Sequence, residues 1–414
     1  MDQKDLSPGV VRAPNAGRAI GRRAFLAGLG AATALGLAYV RRPAFADLAG
    51  GGRLILPQLA ADGAPGDRVS LREKIGQMVL VGFRGLVVDP AQPVATDLAE
   101  GRGAGVILYD YDVPGGLPSR NIESPGQVRA LTAQVRGLAG PTVIEAVDQE
   151  GGKVARLSPA HGFPATRSAA DLGAFDDTEV TYEAAAAMAD TMSSVGLNLN
   201  FAPVVDLNVN PENPVIGALG RSFSADPDVV TRQAEAFIRA HHDRGVLCTL
   251  KHFPGHGSSK ADSHLGFVDV SSTWTETELQ PFARIVADGL ADVIMTAHIY
   301  NSHLDPDYPA TLSFATVTGI LRRQLGYDGV GISDDMQMAA ITQQFGFEVS
   351  VRKAIDAGVD ILLYGNNLGP YDETTTERVV DLIESLVAQG TISAGRIDLS
   401  YQRIMALRSR VQSP

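Results

Sequence analysis

The sequence predicts an α/β protein built as a single (β/α)8 barrel of the TIM type. From residue 70 onward, eight short apolar runs recur, and each is nearly continuous, as in strands buried on both faces of a parallel sheet. Helical segments lie between several of these runs. A doubly wound open sheet is the structural alternative, but eight successive β-then-α units favour a closed barrel.

The predicted elements follow one another regularly along the chain. The strand-like runs are residues 77–83, 103–109, 142–148, 197–206, 246–253, 291–298, 329–335 and 359–365. The helical segments are residues 124–138, 177–195, 226–243, 274–289, 316–325, 344–357, 374–388 and 393–411. Ser124 and Asp226 each precede a proline, the order of an N-cap followed by proline at the first helical position.

The composition of the 414 residues excludes several classes of protein. There are 35 Lys and Arg against 47 Asp and Glu, which gives a formal charge of −12. This acidic balance argues against a nucleic-acid partner, which requires clustered basic residues. The single cysteine, Cys248, excludes an intramolecular disulfide framework and a cysteine-based zinc cluster.

The first 46 residues are predicted to be an export signal. Arg22 and Arg23 precede an uncharged run at 24–40, and small residues at 44 and 46 suit cleavage after Ala46. Consecutive arginines before such a run resemble a twin-arginine signal, so we expect a secreted or cell-wall-associated protein. A short transmembrane anchor is the alternative, but the run is short and weakly apolar, and no stable membrane anchor is expected. Residues 47–69 are predicted to be a linker and 70–414 a single catalytic domain.

Polar residues gather where the predicted strands end. On a barrel this is the face where loops build active sites. An aspartate at a strand end is often only a helix N-cap, but five such ends on one face favour a functional site. The residues concerned are Asp148, Asp206, Lys251 with His252, His298, and Asp334 with Asp335.

The richest stretch, residues 251–264, has two chemical interpretations. In one, Asp262 accepts a hydrogen bond from His264 and fixes its tautomer, which gives a general acid/base active near neutral pH. In the other, His252, His256 and His264 bind a metal such as zinc. The residue types alone leave both open.

Two further stretches carry chemically capable residues. Asp334 emerges at the end of an apolar run, where it can serve as a nucleophile, a metal ligand or a structural cap. Residues 148–156 contain two glycines that permit close approach of a ligand. Asp148 and Arg156 in that stretch suit sugar hydroxyls or a carboxylate.

Together these stretches resemble glycoside hydrolase family 3, in its single-domain β-N-acetylhexosaminidase branch of the bacterial cell-wall recycling type. The resemblance extends over about residues 71–364. It rests on residues 148–152, 220–223, 251–257, 262–264, 295–298, 309–313 and 333–335. The resemblance implies a TIM-type barrel that needs no metal and no cofactor.

The resemblance also implies a role for each matching residue. Asp334 matches the catalytic nucleophile, His264 the acid/base and Asp262 the partner of that histidine. His298 either lines the pocket or is a buried histidine with its hydrogen bonds satisfied, and His256 becomes a structural loop residue. The remaining matches hold the terminal sugar: Asp148, Arg156, Arg221, Lys251 and His252.

The activity implied is an exo-acting, retaining β-N-acetylglucosaminidase that removes terminal GlcNAc from muropeptides or related β-linked oligosaccharides. Its partner is a small carbohydrate. The alternatives are a β-glucosidase or β-xylosidase, a GlcNAc phosphorylase, and a non-catalytic sugar-binding wall protein. The chain departs from the family in its export signal and in residues 110–123, which are longer and richer in Pro and Gly than expected.

Overall fold

The computed structural model describes residues 69–411. The predicted export signal, and all but the last residue of the predicted linker, lie outside the described residues. Eight parallel strands form the centre, and each falls within the corresponding predicted run, which confirms the fold class. They are β1 (Val79–Gly82), β2 (Gly105–Leu108), β3 (Ile144–Val147), β4 (Leu199–Asn200), β5 (Leu247–Phe253), β6 (Val293–Thr296), β7 (Val330–Ser333) and β8 (Leu362–Tyr364).

The strands close on themselves in chain order. Each strand from β1 to β7 pairs in parallel with the next one, and β8 pairs with β1, where Val79 lies opposite Leu362. The last junction, between β7 and β8, is a single parallel bridge of Ile332 to Ile361. Ser333 strengthens it because its backbone N–H donates to the Ile361 carbonyl at 2.9 Å. The sheet is therefore a barrel and not the open alternative.

Helices connect the strands on the outside of the barrel. Ser124 accepts a hydrogen bond from the Gln127 N–H at 3.3 Å, and Asp226 accepts one from Asp228 at 2.8 Å, so both predicted N-caps are confirmed. The segment Ala315–Gln324 is a π-helix. The α-helices are Leu71–Gly76, Pro93–Ala99, Pro125–Ala139, Ala169–Phe175, Thr178–Ser194, Pro227–His242, Gln280–Ala287, Ala339–Thr342, Phe347–Ala357, Thr375–Ala388 and Ala394–Arg408. Within residues 69–411, no helix has the length and apolar character needed to cross a membrane.

Two small pairs of strands lie outside the barrel sheet. Gln149–Gly151 pairs antiparallel with Val154–Ala155, directly after β3. Val268–Asp269 pairs with Ile299–Tyr300, which joins the loops that follow β5 and β6. The sequence did not predict them, because strands of two or three residues are too short to show a hydrophobic period.

A buried ion cluster holds the C-terminal helix against the barrel. Asp360, which precedes β8, is fully buried and accepts hydrogen bonds from Arg322 at 2.6 Å and from the Ser400 hydroxyl at 2.7 Å. Arg396 and Arg403 approach the same carboxylate at 3.3 and 3.4 Å. Because Ser400 and both of these arginines belong to the last helix, one carboxylate links that helix to the barrel strands.

Candidate active site

An open cleft with a volume of about 420 Å³ lies at the carboxyl ends of the barrel strands. Side chains that follow β2, β3, β5 and β7 contribute to its walls, as expected for a barrel active site. His298 is buried and is not among the lining residues. The other site residues predicted from the sequence all line the cleft: Asp148, Arg156, Arg221, Lys251, His252, Asp262, His264 and Asp334.

Two cations and two carboxylates form the polar floor of the cleft. The Lys251 ammonium lies 2.7 Å from Asp148 Oδ1 and 2.6 Å from Glu150 Oε1. Arg221 holds Glu150 through two parallel hydrogen bonds of 2.7 Å. Burial alone would raise the pKa of Glu150, but the two cations outweigh it and hold the pKa well below its usual range. The four charges balance one another, so the floor is rigid and can meet a polar ligand without reorganising.

His252 is oriented by a carboxylate that was not assigned a role from the sequence. Asp206 is fully buried and accepts the His252 Nδ1–H at 2.6 Å and the His252 backbone N–H at 3.1 Å. Burial raises the pKa of Asp206, but His252 outweighs it and the net pKa is lowered. With Nδ1 donating, Nε2 of His252 is an acceptor 3.3 Å from the Arg221 guanidinium. The one available sequence signal was the position of Asp206 at a strand end.

Asp334 follows β7 directly, is half-buried and carries a negative charge at neutral pH. Its Oδ1 accepts the backbone N–H of Asp335 at 2.8 Å. Burial raises its pKa, but three nearby imidazoles outweigh the effect and lower the pKa to about 2; they belong to His298, His252 and His264. Asp334 is therefore ionised at neutral pH, the state a carboxylate nucleophile requires.

The neighbouring carboxyl group, Asp335, keeps its proton to a higher pH than Asp334 does. Its Oδ1 accepts the Gln337 N–H at 3.0 Å, while its Oδ2 has no hydrogen-bond partner within residues 69–411. Burial raises the pKa of Asp335 to about 7. A Cβ atom at Gly365 would lie 2.6 Å from this Oδ2 and 2.3 Å from the Tyr109 hydroxyl, so a larger residue there would have to displace these side chains. Adjacent carboxyl groups with separated pKa values are typical of acid/base sites.

His298 is hydrogen-bonded to the backbone turn that contains Asp334 and Asp335. Its Nε2–H donates to the Asp335 carbonyl at 2.9 Å, and its Nδ1 lies 2.8 Å from the Thr311 hydroxyl. Burial lowers the pKa of its imidazole. Both ring nitrogens are occupied within the protein, as expected for the buried alternative and not for a residue that lines the pocket. We therefore assign His298 to positioning the turn that carries Asp334.

His264 and Asp262 form a pair on the loop that follows β5. Nδ1 of His264 lies 2.8 Å from Asp262 Oδ1. The His264 side chain is 45% exposed and lines the cleft. His256 on the same loop is different: it is buried, and its ring nitrogens contact the hydroxyls of Ser259 and Ser263 at 2.9 and 3.2 Å. Burial lowers the pKa of His256 to about 4, which suits a neutral structural residue.

The base of this loop is tightly held, unlike the end that carries His264. The Glu278 carboxylate accepts the backbone N–H groups of Gly257 at 3.0 Å and Ser258 at 3.4 Å. A Cβ atom at Gly257 would lie 1.7 Å from the Leu207 carbonyl oxygen, so the loop passes close to its neighbour only because this residue is glycine. The loop therefore has a fixed base and an exposed end.

The geometry does not gather the histidines around one point. His252 contacts Asp206, His256 contacts two serines, and His264 contacts Asp262. In the part of the chain that the structure describes, no three His, Cys, Asp or Glu side chains are arranged to hold a metal ion.

Arg156 stands at the edge of the cleft. Its guanidinium lies 3.7 Å from Asp110 and 5.9 Å from the centre of the Tyr109 ring. Its buried Nε has no hydrogen-bond partner among the described residues. Arg156 therefore retains a donor in the cleft wall.

A parallel barrel whose strand ends place an ionised carboxylate and a carboxylate-paired imidazole in one cleft has the groups of an enzyme active site. Comparison with known families identifies which one. Residues 70–407 match the glycosyl hydrolase family 3 N-terminal domain. The chain belongs to glycosyl hydrolase family 3, as its sequence motifs predicted.

Individual relatives agree with this assignment. The chain is 40% identical over 255 residues to a β-hexosaminidase of Pseudomonas aeruginosa, covering 60% of this chain and 74% of that protein. It is 36% identical over 279 residues to β-hexosaminidase A of Pseudoalteromonas piscicida, covering 62% of this chain but only 46% of that protein. The structure of a family 3 β-N-acetylglucosaminidase from Paenibacillus superposes with a TM-score of 0.75 at 35% identity, covering 83% of this chain and 63% of that one. The chain thus spans about half to two thirds of these two longer relatives.

Proposed function

We propose that the protein is an exo-acting, retaining β-N-acetylglucosaminidase that removes terminal GlcNAc from β-linked oligosaccharides. One observation carries the proposal: an ionised, half-buried Asp334 and the exposed His264–Asp262 pair line the same cleft. A retaining glycosidase needs a nucleophile and an acid/base on either side of the scissile bond. Relatives named β-hexosaminidase and β-N-acetylglucosaminidase support the choice of sugar.

The polar floor supports binding of one terminal sugar. Asp148 and Lys251 form one ion pair, and Glu150 holds Arg221, so the positions of these charged groups are fixed. Charged groups that are already ordered hold sugar hydroxyls at a low entropic cost. A buried, polar end with an open mouth suits removal of a terminal residue and not cleavage within a chain.

In the first step, an oxygen of Asp334 attacks the anomeric carbon and forms the glycosyl ester. The bond from that carbon to the leaving oxygen breaks, and the oxygen takes a proton from Nε2 of protonated His264. Asp262 stabilises the imidazolium because its carboxylate faces Nδ1 at 2.8 Å.

In the second step, water attacks the same carbon and loses a proton to the now neutral His264. The ester bond breaks, which releases GlcNAc and restores the Asp334 carboxylate. An imidazole with an ordinary pKa of about 6.5 can serve as acid and then base near neutral pH, without the large rise in pKa that a carboxylic acid would need.

The decisive experiment compares aryl β-GlcNAc with aryl β-glucoside, each with and without phosphate. We expect hydrolysis of the GlcNAc substrate, little of the glucoside, and no requirement for phosphate. A preference for the glucoside would favour the β-glucosidase alternative. Phosphate-dependent formation of GlcNAc 1-phosphate would indicate a phosphorylase, and inactivity on all substrates a non-catalytic sugar-binding protein.

We further propose that the natural substrates are GlcNAc-terminated wall fragments met outside the cytoplasm. The support is the twin-arginine pattern at Arg22 and Arg23. In a host with this export system, changing both arginines to lysine should retain the protein inside the cell. Unchanged export of the double variant would contradict the proposal.

A further inference from the structure

The loop after β2 exposes three apolar side chains beside the cleft. Tyr111, Val113 and Leu117 are 46%, 53% and 55% exposed. Tyr111 and Val113 line the cleft, whereas Leu117 is not among its lining residues. Exposed apolar residues grouped in one short segment, and not scattered over the surface, mark binding sites.

Residues 112–117 of this loop form a turn that is held by hydrogen bonds. The backbone N–H of Asp112 donates to the Leu117 carbonyl at 3.0 Å, and that of Leu117 donates back at 3.1 Å. The buried Asp112 carboxylate accepts hydrogen bonds from Arg84 at 2.6 Å and from Arg120 at 3.0 Å. Pairing with Arg84 outweighs burial and holds the pKa of Asp112 below its ordinary value.

The turn is also joined to the loop that follows β8. The Asn367 amide donates to the Tyr111 carbonyl and accepts the Val113 N–H, both at 3.0 Å. Arg120 donates to the Asn366 carbonyl at 2.9 Å. The backbone of Tyr111 is therefore fixed from two loops, and its ring stands on a rigid wall of the cleft.

The position of this wall indicates what it binds. The charged floor around Lys251 and Glu150 is buried, whereas Tyr111 and Val113 lie at the open mouth. If the terminal sugar occupies the buried end, the group attached to it must lie at the mouth. An aromatic ring on a fixed backbone is a suitable platform for the apolar face of a pyranose, because little freedom is lost on binding.

We propose that Tyr111, with Val113 beside it, is a specificity-determining residue that binds the second sugar ring of the substrate, on the leaving-group side of the bond. The inference rests on the proposed function, since it needs a terminal sugar at the buried end.

The test compares two substrates whose leaving groups are both aliphatic alcohols but differ in size. N,N′-diacetylchitobiose has a sugar ring to place on Tyr111, and methyl β-N-acetylglucosaminide has none. In Tyr111→Ala we expect kcat/KM for the disaccharide to fall about tenfold, and that for the methyl glycoside to change less than about twofold. Tyr111→Phe should keep the wild-type ratio because it keeps the ring.

Leu117→Ala is the matched control, since it shortens an exposed apolar side chain of the same turn that does not line the cleft. It should leave both substrates unaffected, and thermal unfolding should confirm that all variants are folded. Equal losses on both substrates in Tyr111→Ala, or an unchanged ratio, would overturn the role of Tyr111 while leaving the proposed function intact. Failure of the wild-type protein to cleave any GlcNAc glycoside would overturn the proposed function and this inference with it.

Discussion

His264 is held by a residue only two positions before it: Asp262 Oδ1 lies 2.8 Å from the His264 ring nitrogen Nδ1 and 2.8 Å from the His264 backbone N–H. One carboxylate oxygen thus sets both the backbone turn and the tautomer. Because the pair is local, it can move as a unit on its exposed loop. Its orientation towards the substrate can then be completed on closure of the loop.

The acid/base role predicts a dependence on the leaving group. His264→Ala should impair glycosides with poor leaving groups far more than activated aryl glycosides, which depart without protonation. Asp262→Ala should give a milder version, because it removes charge support but keeps the imidazole. The measurement is kcat/KM against leaving-group pKa for the wild type and both variants. An unchanged slope in His264→Ala would show that another group donates the proton.

The nucleophile can be tested by removal and rescue. Asp334→Ala should lower kcat about a thousandfold or more, because it removes the covalent route. Azide should restore part of the turnover by occupying the vacated space and attacking the anomeric carbon. Retention of a tenth of the wild-type activity would shift the role to another carboxylate, such as Asp335.

The raised pKa of Asp335 predicts a pH-dependent stability. The folded protein keeps this proton up to a pH of about 7, whereas an aspartate in an unfolded chain loses it near a pH of about 4. Between these values the folded state binds more protons, so the free energy of unfolding falls as the pH rises. Asp335→Asn should remove this contribution and gain stability over the wild type between pH 5 and 8, on the order of 2–3 kcal/mol. The measurement is the free energy of unfolding in urea for the variant and the wild type at about pH 5 and about pH 8. If the difference between the two proteins were equal at both pH values, the raised pKa of Asp335 would be contradicted.

The ion cluster at the opposite end of the barrel predicts a large cost of substitution. Asp360→Asn leaves several buried arginines without their shared carboxylate, so the free energy of unfolding should fall by about 3–5 kcal/mol. Asp398→Asn is the control: it breaks an exposed pair with Lys74, whose N–O distance of 2.7 Å is close to the 2.6 Å between Arg322 and Asp360, and should cost less than about 1 kcal/mol. Similar costs for both variants in chemical unfolding would contradict the assignment.

Chelation should leave the activity intact. The proposed chemistry uses Asp334, His264 and Asp262, and none of its steps needs an ion. Prolonged treatment with EDTA or phenanthroline is therefore expected not to change kcat/KM. Loss of activity that is recovered on adding zinc would restore the metal interpretation of the histidines.

The sequence predicted the barrel because its strands are buried on both faces and therefore almost wholly apolar. Such runs can be identified from the local sequence without knowing which strands pair, and all eight contain a barrel strand. The helix Pro93–Ala99 was not predicted, because seven residues hold fewer than two turns of amphipathic pattern. The two short strand pairs outside the barrel sheet form through contacts between loop residues. They produce no hydrophobic pattern in the local sequence.

The sequence predicted which residues line the site, but not which of them form hydrogen-bonded pairs with one another. Lys251 and Arg221 were assigned to sugar binding, yet which carboxylate neutralises them depends on the fold. Glu150 is 71 positions from Arg221 in the chain and holds it through two hydrogen bonds. Asp206 stood at a strand end, but its partner His252 lies 46 positions further along. Only the Asp262–His264 pair is local enough to be identified from spacing.

Closure of the barrel through β1 and β8 has a consequence for biosynthesis. Val79 in the first strand pairs with Leu362 in the last strand. Nearly the whole chain must therefore leave the ribosome before the sheet can close. Asp334 is translated earlier, but the turn beyond it is anchored when the Met336 N–H donates to the Leu363 carbonyl of β8 at 2.9 Å. A nascent chain that stops before β8 therefore already contains the proposed nucleophile without the strand that fixes its turn.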